Sequence, residues 1–248
     1  MVEQLTLNQW AVGSTPSEDT IYSEQTPKRF LTSSRFLGKQ IIFAEVSAYK
    51  KVLSGIFFLA LVWSAINPRS GTDWFLEIML PVLVAAPLLI YFSKRYKISN
   101  LSYTLMTIYM LLLVVQAHYG VGYVPIGKKL APFFGSSRNI FDRNTHFCSG
   151  LLLFYPLFEI LKQENPKMNF QLYIFSAALI MGLGALYEVG EFLTFRVADK
   201  ELAYLFIGTH DPNDSYKDLT LALIGTIISA IVVFVANKFF LKKPRRGF

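Results

Sequence analysis

Six apolar stretches divide this chain, at about residues 52–66, 74–92, 101–118, 146–161, 170–195 and 219–240, separated by short polar connections. The apolar residues come in blocks and do not alternate with polar ones, which predicts helices and argues against strands. A helix crossing the hydrocarbon of a bilayer needs roughly 20 mostly apolar residues. The first and fourth stretches are shorter, so they are expected to begin inside their flanking segments or to stand near the bilayer normal. Pro81, Pro87 and Pro156 fall inside stretches. Bundled membrane helices tolerate this, because neighbours can satisfy the carbonyl that proline frees. The pattern predicts an all-α fold: a polytopic bundle of six transmembrane helices.

Composition agrees. Of 248 residues, 53% are hydrophobic and 15% aromatic, and the mean hydropathy is +0.39, too apolar for an ordinary soluble domain. The net charge of +7 does not point to nucleic acid. The basic residues flank the apolar blocks, and no aromatic-interleaved basic patch appears. Membrane lipids are the expected partners. With the N-terminus inside, sixteen of the 24 Lys and Arg fall on the cytoplasmic side, which predicts that both termini are cytoplasmic. The expected organisation is a polar, largely disordered extension (1–50), a six-helix membrane domain (51–241) and a basic tail (242–248). Within the extension, residues 36–48 read either as an amphipathic segment lying on the membrane or as a linker. The expected location is a bacterial-type inner or plasma membrane. The single cysteine, Cys148, excludes an intramolecular disulfide.

In that topology the connections 67–73, 119–145 and 196–218 are extracytoplasmic, and the ionisable residues at the ends of the spans gather on that face. Such residues at membrane depth are costly and usually line a polar cavity. His118 closes the third stretch, where a lone His fits an interface residue as well as a ligand, and Asp142, Arg143 and His146 open the fourth. Asp142 and His146, spaced i and i+4, share a helix face. They fit either a capping Asp beside a partly buried His or a metal-ligand or acid–base pair. Glu188 and Glu191 lie at i and i+3 of the fifth stretch, roughly 27 Å along it from Phe170. They fit either two acids snorkelling at a helix end, or a pair whose like charges are relieved by a cation between them, a metal ion, Arg143 or Arg196. His210, Asp211, Asp214 and Asp218 lead into the last stretch. Glu159, about 20 Å further along its helix than His146, is expected near the opposite end and outside the cluster. The chain contains no H-E-x-x-H, phosphate loop, nucleophile elbow or cysteine cluster.

Several elements, in order, resemble the YjdF family of uncharacterised bacterial inner-membrane proteins. They are Ile66-Asn67-Pro68 with Asp73-Trp74 and Glu77, His118-Tyr119 with Val124-Pro125, and Arg138-Asn139 with Asp142-Arg143 and His146. Glu159, Tyr187-Glu188 with Glu191, Gly208-Thr209, and Asp211, Asp214 and Asp218 before Ala222 to Gly225 complete the pattern. A more distant resemblance is to VanZ-like membrane proteins, with an Asp-x-x-x-His start to one helix and acids near later ones. These resemblances imply the six-span fold and the residues of the site, but no substrate.

Three functions fit. The first is a metal-dependent enzyme acting at the outer leaflet on a lipid or envelope-derived substrate. Its ligands to a divalent ion (Zn, Mn or Mg) would come from His118, His146, Glu188, Asp214 and Asp218. Asp142 or Glu191 would be the base that activates a water, and Arg143, with Arg138, would hold an anionic headgroup. The second is an ion- or proton-coupled transporter. The third is a structural protein whose ion pairs lock the bundle.

Overall fold

The computed structural model describes residues 47–197, 200–207 and 213–239. Residues 1–46 of the expected extension, the basic tail, His210 and Asp211 lie outside the described residues. Every regular element among the described residues is helical. The helices are α1 (Ala48–Ala65), α2 (Gly71–Arg95), α3 (Asn100–Tyr119), α4 (Pro125–Leu130), α5 (Phe141–Glu164), α6 (Phe170–Val197), α7 (Lys200–Ile207) and α8 (Asp214–Phe239). Single 3-10 turns at Val121–Tyr123 and Ala131–Phe134 flank α4.

Local chemistry sets the helix starts. Ser47, Ser70 and Ser99 precede α1, α2 and α3, and each hydroxyl accepts from the backbone N–H three residues on. Serine is favoured there because its oxygen satisfies a donor that the first turn leaves free. After α3 the chain reverses at Gly120, whose φ of 73° suits glycine.

The six expected stretches correspond to α1, α2, α3, α5, α6 and α8. Four of these, α1, α3, α6 and α8, combine the length and hydropathy of a membrane crossing. The short stretches are extended from their flanks: α1 starts at Ala48 and α5 at Phe141. The connection 119–145 holds α4 and its 3-10 turns, and α7 follows α6; the hydrophobic pattern anticipated neither.

At the centre of the bundle, α5 packs against α8 more extensively than any other pair, and also against α3 and α6. Two glycines permit the close crossing. A Cβ on Gly150 would stand 2.0 Å from the Ala222 carbonyl oxygen, and one on Gly225 would stand 2.2 Å from that of Phe147. Small residues at such a crossing let backbones touch, the usual basis of helix association in lipid. Beyond the crossing, Phe154, Phe158, Leu172, Ile180 and Val233 form an apolar core between α5, α6 and α8. A second core joins α2 and α3 through Ile78, Val114 and Ala117, with Phe57 and Leu61 of α1 packed against it. Outward faces are apolar, as with Ile227, Ile231 and Phe234 on α8 and Leu183, Leu186 and Phe192 on α6, the surface expected to meet lipid.

Candidate functional site

The glycine crossing also builds the site. On α5, His146 and Asp142 lie four and eight residues before Gly150. On α8, Asp218 and Asp214 lie four and eight before Ala222. At 3.6 residues per turn these positions repeat along the contacting faces, so pressing the helices together brings the four side chains into one buried cluster.

Asp142, His146 and Asp218 offer ligand atoms that all lie within 4.8 Å of one another. His146 Nε2 is 3.6 Å from Asp142 Oδ1 and 3.4 Å from Glu188 Oε1, with no hydrogen bond to either. Ligands arranged tetrahedrally around a transition-metal ion stand about 3.4 Å apart. The two distances from His146 are close to that value, and the Asp142–His146–Asp218 group lies within 4.8 Å. Both oxygens of Asp142 and Oδ1 of Asp218 are buried without a hydrogen-bond partner. A buried carboxylate in that state is costly. The donor set, one imidazole with carboxylates, suits Zn or Mn, and Mg less well.

Asp142 does not cap its helix. Asn139 braces the chain just before the helix: its Oδ1 accepts from the Phe141 N–H at 2.9 Å, and its Nδ2 donates to the carbonyls of Gly122 and Val124. This ties the 119–140 connection to the start of α5. Gly127 is needed beneath it, since a Cβ there would stand 2.0 Å from Asn139 Oδ1.

Asp214 goes mainly to arginine. Its Oδ1 lies 2.5 Å from Arg138 Nη1 and 3.6 Å from Arg143 Nη2, while Arg138 Nη2 lies 3.6 Å from Asp142 Oδ2. Burial works against the Arg138 charge, but the hydrogen bond and charge of Asp214 outweigh it and raise its pKa. The guanidinium stays cationic and clamps the starts of α5 and α8 together.

Glu191, one turn beyond Glu188 on α6, is buried and within electrostatic reach of Asp142, Glu188, Glu77 and Asp218. His118 lies apart. Its Nδ1 is 3.1 Å from the Ser64 carbonyl, and its ring packs between Trp63 and Tyr119, so the structure joins it to α1 and not to the Asp142 group. Arg196 is exposed over Phe192. Glu159 accepts from the Ser99 N–H and the Ser102 hydroxyl at the far end of α5, away from the cluster as its spacing predicted.

A second buried acidic group stands beside the cluster, in residues that belong to the family resemblance but not to the expected ligands and bases. Asp73 and Glu77, one turn apart on α2, are 0% and 1% exposed. Glu77 accepts from Gln116 Nε2 at 3.1 Å and from the Tyr187 hydroxyl at 3.4 Å. Asp73 has no partner on either oxygen. The available signal was two acids at i, i+4 leading into an apolar stretch, but Ser70-x-x-Asp73 also reads as ordinary helix-start chemistry. Among the described residues, seven buried acids (Asp73, Glu77, Asp142, Glu188, Glu191, Asp214, Asp218) thus stand with Arg138 and Arg143.

Comparison with known proteins agrees with the motifs. The family described as "Predicted membrane protein (DUF2238)" matches residues 49–239. Inner membrane protein YjdF of Escherichia coli (strain K12) is 29% identical over 190 residues, covering 76% of this chain and 88% of that protein. No solved structure matches. With its apolar helices, this makes the protein an integral, multi-pass membrane protein. The chain belongs to the DUF2238 family of predicted membrane proteins.

Proposed function

We propose that this protein is a metal-dependent membrane enzyme. In this reading Asp142, His146 and Asp218 hold a divalent ion, with Glu188 as a further ligand. The observation that carries it is the buried Asp142–His146–Asp218 group, whose ligand atoms converge within 4.8 Å while both Asp142 oxygens and Asp218 Oδ1 accept no hydrogen bond. A bound cation removes the excess of buried negative charge that two arginines leave over. The ion supplies Lewis acidity and lowers the pKa of water. Glu191 is the nearby carboxylate free to take the proton, since Asp142 is committed as a ligand. Arg143, only partly engaged by Asp214 at 3.6 Å, is placed to receive an anionic group of the substrate. His118 and Asp214 serve as packing and ion-pair residues.

The topology proposed with it has six spans, α1, α2, α3, α5, α6 and α8, and cytoplasmic termini. The excess of Lys and Arg in the connections at the other end supports this. The cluster then opens to the extracytoplasmic face, which makes a lipid or envelope-derived molecule the substrate class. An ion-coupled carrier would need polar groups through the membrane depth. Beyond the glycine crossing, the contacts between α5, α6 and α8 are instead apolar, around Phe154, Phe158 and Val233, which favours the enzyme.

Metal content of the detergent-purified protein tests the proposal, with wild type measured beside His146→Ala/Asp218→Asn. Near-stoichiometric zinc or manganese in the wild type, lost in the double variant, is expected, and hydrolysis of lipid phosphoesters is then assayed on the loaded protein. Absence of metal from both after reconstitution with divalent ions would falsify it.

A further inference from the structure

At the end of the bundle away from the acid cluster lies a cavity of about 880 Å³ that the proposed reaction does not use. It runs between α3, α5 and α8, from Lys97 and Lys162 at its mouth to Leu151 and Ser229 near the middle of their helices. Leu151 and Lys162 are eleven residues apart on α5, roughly 16 Å along the axis. The deep walls are apolar (Leu105, Leu152, Val232, Val233), and polar groups are concentrated at the mouth. This polarity gradient follows the helix axes, the direction in which a lipid lies in its leaflet.

Among the described residues no carboxylate neutralises the charge at the mouth, although the Lys162 ammonium lies 5.7 Å from the centre of the Phe158 ring. The two nearby carboxylates are occupied elsewhere: Glu159 accepts from the Ser99 N–H and Ser102 hydroxyl, and Glu164 is paired with Arg95 and the Tyr96 hydroxyl. Gln163 exchanges two hydrogen bonds with the Lys97 backbone, which fixes the connection that carries this lysine. Lys97 and Lys162 are exposed, and neither has a salt bridge to a carboxylate among the described residues. Lysines that only orient the chain in the bilayer need no cavity beside them, whereas these two flank the opening of an apolar one.

We propose that this groove binds an anionic phospholipid, its phosphate held by Lys97 and Lys162 and its acyl chain lying against α3, α5 and α8. The site is independent of the metal reading. It touches the same α5–α8 pair that forms the acid cluster, from the opposite end.

Native mass spectrometry of the full chain, released from detergent micelles containing phosphatidylglycerol or phosphatidylcholine, tests it. Wild type is expected to retain phosphatidylglycerol about tenfold better, given the attraction of two lysines near an anionic headgroup. Lys97→Gln/Lys162→Gln, two exposed positions whose change leaves the bundle intact, is expected to bring retention down to the phosphatidylcholine level. Ala236→Phe, which puts a ring into the groove, is expected to displace both lipids. Equal retention of the two lipids by wild type overturns the proposal, as does an anionic preference that survives the double glutamine change. A dimer without lipid preference, lost in Ala236→Phe, would assign the groove to a second copy and overturn it too.

Discussion

The two ends of α5 carry the same kinds of residue and use them in opposite ways. At the C-terminal end, Glu159 is matched by a backbone N–H and a hydroxyl, Glu164 by an arginine and a tyrosine, and Gln163 by both backbone groups of Lys97. At the N-terminal end, Asp142 is buried with neither oxygen accepting a hydrogen bond, only Arg138 and His146 standing 3.6 Å away, and Asp218 across from it keeps one oxygen without a hydrogen bond. Position in the helix does not explain the difference, since α5 places polar groups at both ends. The C-terminal residues staple helices together and need nothing further. The N-terminal ones bring more buried acids together than Arg138 and Arg143 can neutralise, which is the basis of the proposed metal site.

The largest effect that would break this comparison lies between the two ends. Gly150→Leu or Gly225→Leu drives side-chain atoms into the opposing backbone and is expected to cost about 3 kcal/mol or more. Thermal unfolding in detergent measures it, and a loss under about 1 kcal/mol would refute the close crossing as the device that assembles the site. Arg138→Gln comes next. It leaves Asp214 and Asp142 without their arginine and should lower stability by about 3 kcal/mol.

The sharpest contrast pairs one change at each end. Glu159→Gln weakens two hydrogen bonds and is expected to cost about 1 kcal/mol with or without metal. Asp218→Asn removes a buried charge. In the metal-stripped protein it should leave melting unchanged or raise it, whereas with zinc or manganese in excess it should abolish the stabilisation that wild type gains. Equal destabilisation by the two changes in stripped protein would mean that both ends are structural. Smallest of all, Glu164→Ala should cost at most about 1 kcal/mol, because its partner Arg95 is largely exposed.

Much of this was legible in the residues. The six apolar stretches correspond to six long helices because blocks of hydrophobic residues have no other way to satisfy their backbone in a membrane. The i, i+4 spacing of Asp142 and His146, the i, i+3 pair Glu188 and Glu191, and Asp218 one turn into α8 are brought together as those periodicities suggested. Glu159 was rightly set apart by length alone. Other features were open or not readable. His118 fitted both a ligand and an interface residue, and it packs on Trp63 and the Ser64 carbonyl, a contact fixed by how α1 meets α3. Asp214 and Asp218 look alike in sequence; which one meets arginine depends on where Arg138 arrives from the preceding connection. Asp73 and Glu77 belong to the family resemblance, but their burial follows only from how α2 packs.

The sequence alone determined the helices, their apolar faces and the gathering of ionisable groups at one end, because these follow from local periodicity and the cost of placing charge in hydrocarbon. Tertiary structure decided which of those groups meet. That depends on the depth to which α5 and α8 sink into each other at Gly150 and Gly225, a distance set by backbone contact between segments about 75 residues apart in the chain.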